Sequence, residues 1–276
     1  MAFLTVGKEN GVDIQIYYED RGSGRPVVLV HGWPLNGGSW ERQSAALLAA
    51  GHRVITYDRR GFGKSSQPAE GYEYDTLAKD TLHLLDALNL KDITLVGFSM
   101  GGGEVARYMG KYDNGRVGKV CFMSSIAPAL RKSGNNPEGI DPAVFEGIKA
   151  GIEKDRFVFL EQFLSNFFNV DVLGDRISSA AVHANFNVAA SSSYQAMLNC
   201  VDAWLEDFRE DIKQIKLPTL VIHGDADRIL PIEATGARTA KLIPGAKLHV
   251  IRGGPHGLNW THATEVNEAL LKFLES

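Results

Sequence analysis

The sequence predicts an α/β fold: a mostly parallel, twisted sheet of about eight strands with helices on both faces and a helical cap inserted after the sixth strand. Three observations carry this reading. Apolar strand-like runs alternate with helical stretches toward both ends of the chain, joined by the short connections that parallel crossover units require. A very tight strand-to-helix turn lies at Gly97-Phe98-Ser99-Met100-Gly101. From about Pro128 to Ile215 the alternation stops and only helical amphipathic patterns remain. The expected division is therefore a core of residues 1–127 and 216–276 and a cap of residues 128–215.

In chain order, Asp13 to Asp20 alternates like a half-buried strand, and Pro26 to Val30 is apolar throughout, as a central strand would be. His31-Gly32-Trp33-Pro34 follows as a turn, then a helix from about Ser39 to Ala50 that Gly51 stops. Arg53 to Tyr57 reads as a strand and Tyr74 to Leu88 as a helix. Ile93 to Val96 is a buried β-branched run leading into the Ser99 turn, with Gly103 to Met109 helical beyond it. Val117 to Met123 is the last strand before the cap, whose clearest helices are Arg156 to Phe168 and Ser192 to Phe208, with Ser133 to Pro142 as a polar loop. Alternation resumes with strands at Pro218 to His223 and Lys247 to Ile251 and helices at Ile232 to Leu242 and Thr261 to Leu274. An insertion at this point lies over the carboxyl edge of the sheet, where open α/β sheets bind ligands.

Composition narrows the class. An apolar content of 44% with 22% charged residues is that of a globular domain with a sizeable core. A net charge of -4 and a pI near 6.1, without a dense basic cluster, give no attraction for nucleic acid or an anionic membrane. No signal-like start or membrane-length apolar run is present, so a cytoplasmic location is expected. Cys121 and Cys200 are too far apart in sequence to suggest a disulfide framework and read as reduced and inert. Gly63-Lys64-Ser65 resembles the end of a phosphate loop, but Asp58 stands where that loop needs glycine and would repel phosphate. Neither G-x-G-x-x-G nor H-E-x-x-H occurs, so dinucleotide and zincin readings have no support, and the histidine spacing suggests no metal site.

The Ser99 turn lifts its hydroxyl out at the carboxyl end of the sheet, beside the positive end of a helix dipole, with the Met100 N–H free to donate to an oxyanion. Serine needs a base, and the base needs a carboxylate to fix its tautomer. His256, in Gly253-Gly254-Pro255-His256-Gly257, lies just beyond the last strand, and Asp227 just beyond the preceding one. Asp225 is also in place, although after Gly224 it reads equally as a turn former. Among the eight histidines, His31 reads as a brace for the loop after the third strand, and His223 and His249 as packed or hydrogen-bonded strand residues.

With these residues in view, the chain resembles the α/β-hydrolase branch of cofactor-free haloperoxidases, which also holds arylesterases, perhydrolases and γ-lactamases. The resemblance is carried by His31-Gly32-Trp33-Pro34-Leu35, Ser39 to Gln43, Tyr57 to Gly63, Gly97 to Gly101, Glu104 to Tyr108 and Pro255-His256-Gly257-Leu258. It implies Ser99 as nucleophile, His256 as general base and acid, Asp227 as orienting carboxylate, and the Trp33 and Met100 N–H groups as the oxyanion hole. The expected partners are a small ester or cyclic amide and hydrogen peroxide, with a homo-oligomer allowed. A small-molecule receptor that keeps the triad with little turnover is the rival reading. Gly102 stands where relatives often carry a hydroxyl residue.

An acyl pocket is expected from Trp33, Ile229, Leu258 and Trp260, with one or two of the cap phenylalanines Phe145, Phe157, Phe159, Phe163, Phe167 and Phe168. Pro34 restricts the residue before it and is expected to aim the Trp33 carbonyl into the site, where it could accept a hydrogen bond from peroxide.

Overall fold

The computed structural model describes residues 2–276. β1 (Ala2–Glu9), β2 (Val12–Arg21), β3 (Pro26–Val30), β4 (Arg53–Tyr57), β5 (Ile93–Phe98), β6 (Val117–Met123), β7 (Thr219–Gly224) and β8 (Lys247–Ile251) form one sheet in the order β1-β2-β4-β3-β5-β6-β7-β8. β1 pairs antiparallel with β2 and β2 with β4, and every other neighbouring pair is parallel. β5 is buried along its whole length because helices cover both faces of the sheet around it, which is why its sequence does not alternate.

After a 3₁₀ turn at Gly37–Trp40 come α1 (Glu41–Ala49), α2 (Tyr74–Ala87) and α3 (Met100–Lys111). Between β6 and β7 lie α4 (Pro142–Phe168), α5 (Val170–Leu173), α6 (Ser179–Ala190), α7 (Tyr194–Ala203) and α8 (Arg209–Lys213). The chain closes with α9 (Gly236–Leu242), α10 (Leu258–Thr261) and α11 (Ala263–Glu275). Buried apolar residues of the α4–α8 segment, among them Phe145, Leu160, Phe167 and Trp204, are continuous with the apolar core of the sheet.

Several local expectations change. β1 was not expected as a strand: it is an edge strand with Phe3 exposed and a register shift between Thr5 and Gly7, so its apolar residues do not alternate cleanly. The helix expected to begin at Arg156 begins at Pro142, yet Asp155 leaves helical geometry at φ -164°, ψ 98°. Its carboxylate accepts the Phe157 and Val158 N–H groups and so caps the second half of α4 anew. The helix expected over Ser192 to Phe208 is shorter. The Ser193 hydroxyl caps its start, and after Ala203 the chain turns so that the Phe208 N–H meets the Pro128 carbonyl. His249 is exposed rather than packed, because β8 is the edge of the sheet. Lys64 and Gly37 donate their N–H groups to the Asp58 carboxylate, so the Gly63-Lys64-Ser65 segment is a structural turn.

Behind the β3–α1 loop sits a buried ionic network. The Arg59 Nε donates to Glu104 Oε2 and its Nη2 to the His31 carbonyl, both at 2.8 Å, while Tyr57 and Thr81 hydroxyls donate to Glu104 Oε1. The Arg59 N–H donates to His31 Nε2 at 2.9 Å, which leaves the His31 proton on Nδ1, directed at the Gly32 carbonyl. Burial, and then the adjacent Arg59 charge, push the His31 imidazole well below its ordinary pKa, so it is neutral in the fold.

Two stability outcomes follow. Glu104→Ala leaves the Arg59 guanidinium buried without its carboxylate and should lower stability by about 3–5 kcal/mol in urea unfolding; a loss under about 1 kcal/mol would show the pair to be dispensable. Below the ordinary imidazole pKa of about 6.5 the unfolded chain binds a proton at His31 that the folded chain refuses, so stability falls as pH drops through that value. One such site contributes up to about 1.4 kcal/mol per pH unit. Unfolding measured from pH 7 to 5.5 should therefore show a flatter slope for His31→Gln than for the unmodified chain, and equal slopes would mean that folded His31 accepts the proton.

Candidate active site

Ser99 joins β5 to α3 with φ 53°, ψ -120°, a backbone region that a side chain makes unfavourable. The turn is possible because its flanks are glycines. A Cβ on Gly97 would stand 2.5 Å from the Gly101 carbonyl oxygen, and one on Gly101 would collide with the Val30 carbonyl of β3. Gly102 is required in turn by Ser125, whose side chain fills the space a Cβ at 102 would need, so here a hydroxyl at that level comes from the loop after β6. The Ser99 N–H donates to the Met123 carbonyl at 2.9 Å, and the Ser99 carbonyl accepts from Gly102 and Ile126, which ties the strained residue to two neighbouring elements.

The loops after β7 and β8 bring two more side chains to this point. His256 Nε2 lies 2.9 Å from Ser99 Oγ, and His256 Nδ1 lies 2.8 Å from Asp227 Oδ2. Because the carboxylate can only accept, Nδ1 carries the proton of the neutral ring and Nε2 faces the serine as an acceptor. All three residues are buried. The His256 ring lies against Phe98 at 5.2 Å and edge-on to Phe167 at 4.9 Å between ring centres. Asp227 Oδ1 accepts the Ile229 and Leu230 N–H groups at 2.9 and 2.7 Å. Burial alone would raise the Asp227 pKa, but the adjoining His256 and His223 rings outweigh it and hold the carboxyl well below the usual carboxylate range. Asp225 is exposed and accepts the Gly253 N–H instead, a loop-bracing role.

The Trp33 N–H in the loop after β3 and the Met100 N–H at the start of α3 are committed to no protein acceptor among the described residues. The Met100 position itself is held by the Tyr74 hydroxyl, which donates to its carbonyl at 3.0 Å. The Trp33–Pro34 peptide is cis, and the Pro34 carbonyl accepts from the Ser192 hydroxyl at the start of α7.

Ser99 opens onto a small cavity whose other lining residues are all apolar. Trp33 and Ile229 line it as expected by position, and of the cap phenylalanines Phe145 and Phe163 do. Leu258 and Trp260 are not among its lining residues. Gly257 donates its N–H to the Phe167 carbonyl and is pressed against the Phe168 ring, so the end of α4 closes that side. Leu258 is in the core, and Trp260 carries the Arg42 guanidinium 4.4 Å over its ring. Residues that sequence reasoning did not single out complete the wall, notably Trp204, whose ring meets Trp33 edge-on at 5.0 Å, with Ile126, Leu130 and Ile148. Nothing local marks these: they are ordinary apolar residues until the fold brings the loop after β6, the first half of α4 and the end of α7 together.

Cys121 and Cys200 are both buried and unpaired. Burial pushes the Cys200 thiol up to about 12, and Cys121 higher still, so neither supplies a thiolate. Among the described residues no group of His, Cys, Asp or Glu is arranged to hold a metal ion, and no helix is long and apolar enough to cross a membrane.

Comparison with known proteins agrees with this architecture. Residues 25–263 match the model of the alpha/beta hydrolase fold family. A provisional non-heme chloroperoxidase of Synechocystis sp. is 56% identical over 276 residues, covering all of both chains. The bifunctional esterase/perhydrolase of Acinetobacter calcoaceticus is 33% identical over 280 residues, again covering all of both. The crystal structure of a bromoperoxidase from Bacillus anthracis superposes with a TM-score of 0.96 at 51% identity, over 100% of this chain and 99% of that one. The chain therefore belongs to the α/β-hydrolase family and, within it, to the branch of non-haem haloperoxidases, esterases and perhydrolases.

Proposed function

We propose that this protein is a serine hydrolase that cleaves small carboxylic esters through an acyl-enzyme and forms peracids when hydrogen peroxide takes the place of water. The observation that carries the reading is the unbroken line from Ser99 Oγ through His256 to Asp227, at 2.9 and 2.8 Å, opening onto an otherwise apolar cavity. Ser99 Oγ attacks the ester carbonyl while His256 Nε2 takes its proton and Asp227 stabilises the imidazolium. The Trp33 and Met100 N–H groups receive the oxyanion, and His256 then protonates the departing alcohol. Water, deprotonated by His256, attacks the acyl-serine and releases the carboxylic acid. Hydrogen peroxide attacking in its place releases the peracid, which oxidises halide outside the protein and is itself reduced to the acid. The names of the related esterase/perhydrolase and non-heme chloroperoxidase support both arms.

The apolar wall suits uncharged aryl or short-chain acyl groups, because a charged acyl group would be desolvated there without a partner. Residues 128–215 act in this reading as the cap that shapes that wall, and γ-lactams of similar size are further candidate substrates.

A series of p-nitrophenyl esters of increasing acyl length, together with a γ-lactam, assayed with and without peroxide, tests the proposal. Ser99→Ala should lose turnover by on the order of 10⁴-fold or more, and Asp227→Asn by a comparable factor. Retained multiple turnover in Ser99→Ala would remove the nucleophile, and a stoichiometric burst without turnover in the unmodified protein would favour the receptor reading. For reaction choice, the Trp33 carbonyl accepts no hydrogen bond from the described residues, and in this reading it serves as the acceptor for peroxide. Pro34→Leu should lower the ratio of perhydrolysis to hydrolysis, and an unchanged ratio defeats that role for the Trp33 carbonyl.

A further inference from the structure

The His223 ring is wholly buried at the carboxyl end of β7 and takes no part in the proton path from Ser99 to Asp227. Its Nε2 lies 2.9 Å from the Leu230 carbonyl oxygen and 3.3 Å from Asp227 Oδ2. Both oxygens accept only, so Nε2 carries the proton and donates it to the Leu230 carbonyl, with the Asp227 carboxylate close beside that bond. Nδ1 has no partner among the described residues and faces Gly236, where even a Cβ would come within 2.5 Å of it. That nitrogen is packed against the start of α9, so the ring has no room to turn.

These contacts close a ring. The Leu230 N–H donates to Asp227 Oδ1, the Leu230 carbonyl accepts from His223, and His223 Nε2 stands 3.3 Å from Asp227 Oδ2, which receives His256 Nδ1. With the Ile229 N–H, Oδ1 accepts two hydrogen bonds, while Oδ2 accepts one from His256 and lies 3.3 Å from His223 Nε2. The other charged or titratable groups nearby are engaged elsewhere or in solvent. Asp225 is exposed and bound to the Gly253 N–H, Arg228 pairs with Asp171, Arg238 of α9 donates to Asn136, and His249 of β8 is exposed.

We propose that His223 is a positioning residue for the triad, a second imidazole that shares the Asp227 carboxylate with His256, fixes its rotamer and tempers its pull on the His256 proton. The proposal rests on the triad reading above. Without the His223 N–H, the negative charge on Oδ2 is less offset, so the carboxylate holds the His256 imidazolium more strongly. The acid limb of kcat/KM then moves to higher pH. Freed of one restraint, Asp227 also orients His256 less well, which lowers kcat more than it changes KM.

The test is the pH profile of p-nitrophenyl acetate hydrolysis for the unmodified protein, His223→Leu and His223→Gln, with Ser99→Ala as background. In His223→Leu the acid limb should rise by about half a pH unit or more and kcat should fall about tenfold, with KM within about twofold. Glutamine can place an amide N–H near the Nε2 position, and His223→Gln should return the limb to its original pH. Should His223→Leu not fold, His223→Asn, whose amide is one methylene short, replaces it: a shifted limb in Asn but not in Gln supports the proposal. Variants that are merely less stable in urea while keeping the original acid limb overturn it. A failure of the triad reading itself would be distinct, because Ser99→Ala would then retain turnover.

Discussion

The backbone of Ser99 is the constraint on which the rest of the site depends. A non-glycine residue at φ 53° between a strand and a helix is unfavourable by itself, and it persists because its surroundings over-determine it. Gly97 and Gly101 let the strand, the helix and β3 approach within contact distance, while Met123 at the end of β6 and Ile126 beyond it bond the Ser99 peptide groups. The same geometry that strains the residue exposes its hydroxyl and leaves the Met100 N–H uncommitted. Relaxing the strain would therefore remove the presentation of the hydroxyl along with it.

The site is supported from two sides by different physics. On the side of the β3–α1 loop, Arg59 and Glu104 bury an ion pair and spend donors on the His31 carbonyl and ring. Such a pair adds little stability over an apolar replacement, but it fixes directions, since each donor meets one acceptor. On the side of the acid, the His256 ring, and then the His223 ring, keep the buried Asp227 carboxylate ionised. Desolvation and neighbouring donors oppose each other there, and the donors win.

The helical segment between β6 and β7 does more than cover the cavity. Its longest helix ends against both triad loops: the Phe167 carbonyl accepts the Gly257 N–H beside His256, and the Asn169 amide donates to the Ala226 carbonyl beside Asp227. The first half of the same helix supplies Val144, Phe145 and Ile148 to the cavity wall, and Asp155 breaks the helix between the two halves. Phe163 of the second half lines the cavity as well, and its ring packs on Phe167, which lies edge-on to His256, so the second half of the helix contacts both the cavity and the His256 ring.

The order of strands and helices and the elbow at Ser99 were legible in the chain, because each depends on local chemistry: β-branched runs and glycines where a turn excludes side chains. The preference for Asp227 over Asp225 came from the family resemblance. The edge strand β1 was not legible, since half-exposed strands with a register shift lose the alternation that marks them. The cavity wall was only partly legible. Trp33 and Ile229 lie near the reacting groups in sequence terms, but Trp204, Ile126 and Leu130 reach the cavity through packing between distant segments, and Leu258 and Trp260 are shut out by the end of α4. The role read into His223 likewise needed three dimensions, because a buried histidine on a strand looks the same in sequence whether it meets a carboxylate or only a carbonyl. Local stereochemistry alone set the presence of a nucleophile elbow; which side chains surround it was decided by how non-local surfaces pack, and that is information the order of residues does not carry.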